Sequence, residues 1–80
     1  MFVHQSVFFR SKRFMVPFGP REAMRAYTER CEAKLRETGE IGPEQRIGLV
    51  LAGRLVDPEE LCGKLFHYSC IHAILVNTLE

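Results

Sequence analysis

The sequence is short of several things that would point to particular chemistries. It has no apolar run near the ~20 residues that a helix needs to cross a bilayer, so a membrane span is not expected. It has no glycine-rich phosphate loop, no paired-carboxylate constellation, no internal repeat and no low-complexity tract. Neither charge dominates: 11 basic residues face 10 acidic ones for a net charge of +1. No strong field is available to hold phosphates, and nucleic acid is not expected as a main partner. Cysteine is sparse and odd in number. Cys31, Cys62 and Cys70 cannot close a disulfide framework among themselves and read as reduced thiols of a cytoplasmic or nuclear protein, most simply as small core residues.

What remains is an ordinary globular composition, 46% apolar and 26% charged, in 80 residues. That length supports a single domain over residues 1–80, with one core and modest stability. Before Glu22 there is no acid, and Arg10, Lys12 and Arg13 lie among serine and apolar residues, as in a mitochondrial transit segment. The stretch from Phe2 to Val16 nevertheless reads as two apolar runs about a polar centre. It predicts a β-hairpin, with strands over Val3 to Phe9 and Phe14 to Phe18 and a turn over Arg10 to Arg13.

Gly19-Pro20 punctuates the chain, and a proline suits the first turn of a helix because its missing N–H has no intrahelical partner there. From Arg21 to Thr38, Met24, Tyr27, Cys31 and Leu35 recur at spacings of three and four and form one apolar helical face. Gly39 suits the left-handed residue that ends a helix. After a loop through Ile41 to Gln45, Leu49-Val50-Leu51-Ala52 predicts a strand stopped by Gly53. Asp57-Pro58-Glu59-Glu60-Leu61 predicts a turn into a short helical segment, and Cys70 to Val76 an alternating strand. Strand, strand, helix, strand, helical turn, strand is the order of an α+β β-grasp domain, a small mixed sheet packed on one main helix.

The stretch from Gly39 to Leu61 then resembles the ubiquitin-like family. Gly39, Ile41, Pro43, Glu44 and Gln45, followed by Leu49-Val50-Leu51-Ala52-Gly53-Arg54, Leu55, Asp57 and Leu61, are similar to the family's helix exit, third strand and following turn. Ser69-Cys70-Ile71-His72-Ala73-Ile74-Leu75 resembles its last strand. Spacing departs by one residue between Gly39 and Ile41 and again between Pro43 and Leu49, and the loops after Arg54 and Phe66 are shorter. The chain closes on Asn77-Thr78-Leu79-Glu80 without the Gly-Gly end of conjugating members, so the resemblance implies a non-conjugating domain. Arg54 stands where ubiquitin carries a chain-forming lysine, and a guanidinium is a poor nucleophile.

Period-two alternation puts Ile71, Ala73 and Leu75 on one face of the last strand and Cys70, His72 and Ile74 on the other. If Leu49 and Leu51 face the core, Val50 faces away. The resemblance implies that these strands are neighbours, so that Val50, His72 and Ile74, flanked by Gly53 and Arg54, form an exposed patch like the one by which ubiquitin meets its receptors. A protein partner, a ubiquitin receptor or the proteasome, is then expected at the exposed sheet face, with no catalysis and no cofactor. Competing readings are a purely structural β-grasp subunit and a metal- or redox-responsive protein using Cys62, His67, Cys70 and His72. The Cys-x4-His-x2-Cys-x-His spacing matches no common structural zinc arrangement. A thiol enzyme built on Cys70 beside His72 shows no third orienting group. The basic Arg10 to Arg13 turn reads as solvated, and Phe8, Phe9, Phe14 and Phe18 as hairpin core or edge residues. Oligomeric state is not legible.

Overall fold

A computed structural model of the chain describes residues 3–68 and 70–76. Phe2, Ser69 and the closing Asn77-Thr78-Leu79-Glu80 lie outside the described residues.

Strands β1 (Val3–Phe9) and β2 (Lys12–Phe18) form the hairpin, joined by Arg10 and Ser11 alone. These two have φ of 51° and 70°, the left-handed pair that lets a two-residue turn match the twist of its strands. The turn is therefore shorter than its polarity suggests. Lys12 and Arg13 are strand residues opposite Phe9 and Phe8, and their charges are tolerated because β2 is an edge strand with side chains in water.

Helix α1 (Met24–Glu37) begins later than Pro20 implies. The Cys62 and Gly63 N–H groups donate to the Glu22 and Pro20 carbonyls at 2.8 and 2.9 Å, and Ala23 bridges Leu61. These contacts hold residues 20–23 out of the helix. Met24, Tyr27, Cys31 and Leu35 are all buried, as their spacing requires. Gly39, at φ 84°, closes the helix, and the Glu40 N–H returns to the Leu35 carbonyl at 2.8 Å.

Strand β3 (Arg46–Leu51) starts three residues before the apolar run that marks it, and Ala52 leaves it for a second left-handed pair with Gly53, φ 52° and 81°. That turn leads into β4 (Arg54–Leu55). The helical segment expected from Asp57 falls instead at Cys62–His67, as a 3₁₀ helix. Asp57 Oδ1 accepts the Glu59 N–H at 2.9 Å within the preceding turn. Strand β5 (Cys70–Val76) has the expected bounds.

The sheet order is β2-β1-β5-β3-β4, with β1 and β5 parallel at its centre. One face packs on α1, enclosing Val7, Phe18, Tyr27, Leu35, Leu49, Leu65 and Ile71 in a single core. This is the mixed sheet on one helix of a β-grasp. Both sheet edges are blunted by α1. On β2, Pro17 has no N–H and its carbonyl accepts from Arg30 Nη1 at 2.8 Å. On β3, the Ile47 N–H donates to the buried Glu32 carboxylate at 3.0 Å, which Arg46 Nε also meets at 3.0 Å.

Candidate functional site: the outer face of the sheet

The sheet face away from α1 is built by strict alternation. Because Val7, Phe9, Leu49, Leu51, Ile71 and Ala73 are drawn into the core, Phe8, Val50, His72 and Ile74 must point outward. The strand register then sets them side by side. Arg13 stands opposite Phe8, Phe8 opposite His72, His72 opposite Val50, and Val50 opposite Leu55. One row thus crosses all five strands. The Phe8 and His72 rings lie 5.8 Å apart, tilted by 32°. Ile74 projects one step along β5, opposite Gly48, and is 44% exposed; Leu55 is 60% exposed.

Gly48 is a glycine because its neighbours occupy the space above it. A Cβ there would stand 2.8 Å from Leu55 Cδ2 and 3.0 Å from Val76 Cγ1. Leu55 and Val76 therefore lean over the bare backbone and extend the apolar surface across β3.

The patch residues Val50, His72 and Ile74 are brought together on this face, with Val50 half-buried and the other two exposed. Gly53 and Arg54 lie in and after the turn beyond Leu51, also exposed. Phe8, Arg13 and Leu55 belong to the same surface and were not singled out from sequence. The alternation of Val7 and Phe9 would have placed Phe8, and the two-residue Ala52-Gly53 turn would have paired Leu55 with Val50. The strand residues facing outward include arginine and histidine but no carboxylate. The described acids, Glu22, Glu29, Glu32, Glu37, Glu40, Glu44, Asp57, Glu59 and Glu60, lie on α1 and the loops.

The Cys/His set does not converge. Cys62 is buried with Sγ 3.7 Å from the Ala23 carbonyl, on the core side, while His72 is exposed on the other face of the sheet. Among the described residues no three His, Cys, Asp or Glu side chains are grouped to hold a metal ion. Burial pushes the Cys31 thiol up to about 12 and Cys62 to about 11, so both stay protonated and inert at neutral pH. Cys70 shares the outer face with His72 but is half-buried two residues away. At the basic turn, Arg10 lies over its own Phe9 ring at 5.0 Å and Lys12 pairs with Glu40 at 2.6 Å. Among the described residues no helix is long and apolar enough to cross a membrane.

No known family profile matches the chain, and no curated protein does. Solved structures do. The UBL domain of Plasmodium falciparum Dsk2 superposes with a TM-score of 0.67 at 18% identity, over 95% of this chain and 100% of that one. The ubiquitin-like domain of EccD5 from Mycobacterium xenopi superposes with a TM-score of 0.70 at 12% identity, over 99% of both chains. At such identities the likeness speaks for architecture, and in sheet order, crossover and helix placement this chain has the ubiquitin-like β-grasp fold.

Proposed function

We propose that the chain is a protein-interaction domain without catalytic activity, which docks partners such as ubiquitin receptors or the proteasome on the outer face of its sheet. The observation that carries this reading is the unbroken row of Arg13, Phe8, His72, Val50 and Leu55, with Ile74 beside it. A contiguous surface of this kind costs little to strip of water and offers several shallow anchors, which suits weak and reversible association. The ubiquitin-like fold supports the reading, because in ubiquitin the matching strand positions form a receptor-binding patch. The three thiols, none in a disulfide, suit a reducing compartment, cytoplasmic or nuclear.

The test is an NMR titration with isolated ubiquitin-receptor domains. Shifts are expected at Phe8, Val50, His72 and Ile74. Val50→Ala with Ile74→Ala should leave the melting temperature nearly unchanged while removing more than ~1 kcal/mol of binding, because central anchors carry interface energy and exposed side chains carry little stability. A folded double variant with undiminished affinity would refute the assignment.

A further inference from the structure

The β3 edge is only partly used. Its odd-numbered residues turn their main-chain groups away from β5: the Ile47 N–H meets Glu32, and the Leu49 carbonyl accepts the Val56 N–H at 2.9 Å. By strand alternation the Ile47 carbonyl and the Leu49 N–H face the same side, and among the described residues neither has a main-chain partner there. β4 ends at Leu55, and the Pro58 carbonyl is drawn to the Arg25 N–H at 3.0 Å, which carries the chain away from the edge. The gap so left is one pairing step wide, with an acceptor and a donor flanking Gly48.

A cleft of about 260 Å³ opens beside this gap, between β3 and α1, with Leu49, Leu55, Val56, Pro58 and Val76 as its apolar wall. Its charges are unevenly satisfied. Arg25 pairs with Glu59 and Arg46 with Glu32. Glu29 in the cleft, and Glu44 in the hollow that adjoins it, have no ion pair among the described residues. The cleft's unmet demand is therefore for an extended backbone, an apolar side chain and a cation.

We infer that this gap is a second docking site, at the β3 margin of the sheet and meeting the outer face only at Leu55 and Val76, for a short extended peptide of alternating apolar and basic residues. One residue of a parallel strand, set opposite Gly48, satisfies the Ile47 carbonyl and the Leu49 N–H and prolongs the line begun by β4, whereas an antiparallel strand would need the place opposite Leu49 that Val56 holds. The residue opposite Gly48 sets its apolar side chain against Leu55. The next residue points to the helix side and brings its cation to Glu29.

The probe is the blocked pentapeptide acetyl-Lys-Val-Lys-Val-Lys-amide, titrated into the whole chain and followed by amide shifts and hydrogen exchange. Binding should shift Ile47, Gly48 and Leu49 and slow exchange at Leu49. Alternate peptide N–H groups face opposite sides of an added strand, so N-methylation of both valines and of the central lysine should differ. One of the two should weaken binding about five- to tenfold, the worth of a lost hydrogen bond, and the other should change it little. Glu29→Lys, an exposed substitution whose retained fold the same spectra report, should also weaken binding. The inference is overturned by the absence of binding at millimolar peptide, by equal effects of the two methylations, or by shifts centred on His72 and Ile74. The last result would move the peptide to the sheet face and leave the proposal for that face standing.

Discussion

Removing the Glu32 carboxylate should reveal how much of this small domain's stability rests on a protected sheet edge. Its side chain is 3% exposed and sits 3.0 Å from both the Ile47 N–H and Arg46 Nε. Glu32→Ala strands a buried donor, at a cost of about 1–3 kcal/mol. It also removes an ion pair to the half-exposed Arg46, worth up to ~1 kcal/mol. The sum, roughly 1–4 kcal/mol, is a sizeable part of the ~5–10 kcal/mol expected for a small domain. It should lower the melting temperature by roughly 5–30 °C. Glu32→Gln keeps a carbonyl oxygen for the Ile47 N–H and should recover about half of that loss. Thermal melts by circular dichroism give the ranking, and hydrogen exchange at Ile47 locates it. If alanine and glutamine cost the same, or if alanine costs under ~0.5 kcal/mol, the carboxylate is not capping the strand.

Leu35→Ala should destabilise the domain by about 2–5 kcal/mol through the cavity left where α1 meets the sheet, measured by urea unfolding. Hydrogen bonding to Arg30 holds the Glu22 carboxyl at about 2, below its usual 4.5. The associated stability is present above pH ~4.5 and is lost as pH falls toward 2, so an acid melt of Glu22→Gln should be flatter than that of the native chain over this window. An alkylating thiol reagent at neutral pH should label Cys70 well before Cys31 and Cys62, with peptide mass mapping as the readout; equal rates would contradict the burial of the latter two. Ser11→Gly should stabilise the hairpin by up to about 1 kcal/mol, because φ of 70° burdens a residue with a Cβ.

Sequence periodicity captured what a single element determines for itself. The α1 face of Met24, Tyr27, Cys31 and Leu35 and the alternation of β5 follow from local spacing, and both stand in the structure. Features set by distant partners escaped it. Residues 20–23 look helical but form a turn and a single bridge residue, held out of the helix by Leu61, Cys62 and Gly63, some forty positions away in sequence. Arg46-Ile47-Gly48 carries no strand signal of its own and is nevertheless part of β3, because β5 pairs with it and Leu55 and Val76 supply the cover that Gly48 lacks. At the candidate site, Val50, His72 and Ile74 could be placed from alternation and resemblance. Phe8 lies on another strand and joins them only through the parallel β1–β5 pairing.

That parallel pairing has a consequence for how the chain comes into being. β5, the last strand described, lies between β1 and β3, and the hairpin has no other link to the rest of the sheet. On a ribosome, the hairpin, α1 and β3 would emerge as pieces without a common edge, and Ile71 and Ala73 would still be missing from the core. Folding must then wait for β5 to clear the exit tunnel and close a contact spanning most of the sequence, which loop-closure entropy makes slow. Until that moment the inner edges of β1 and β3 stand open to other chains, and a nascent copy is most vulnerable to aggregation or to capture by chaperones while β3 is out and β5 is not.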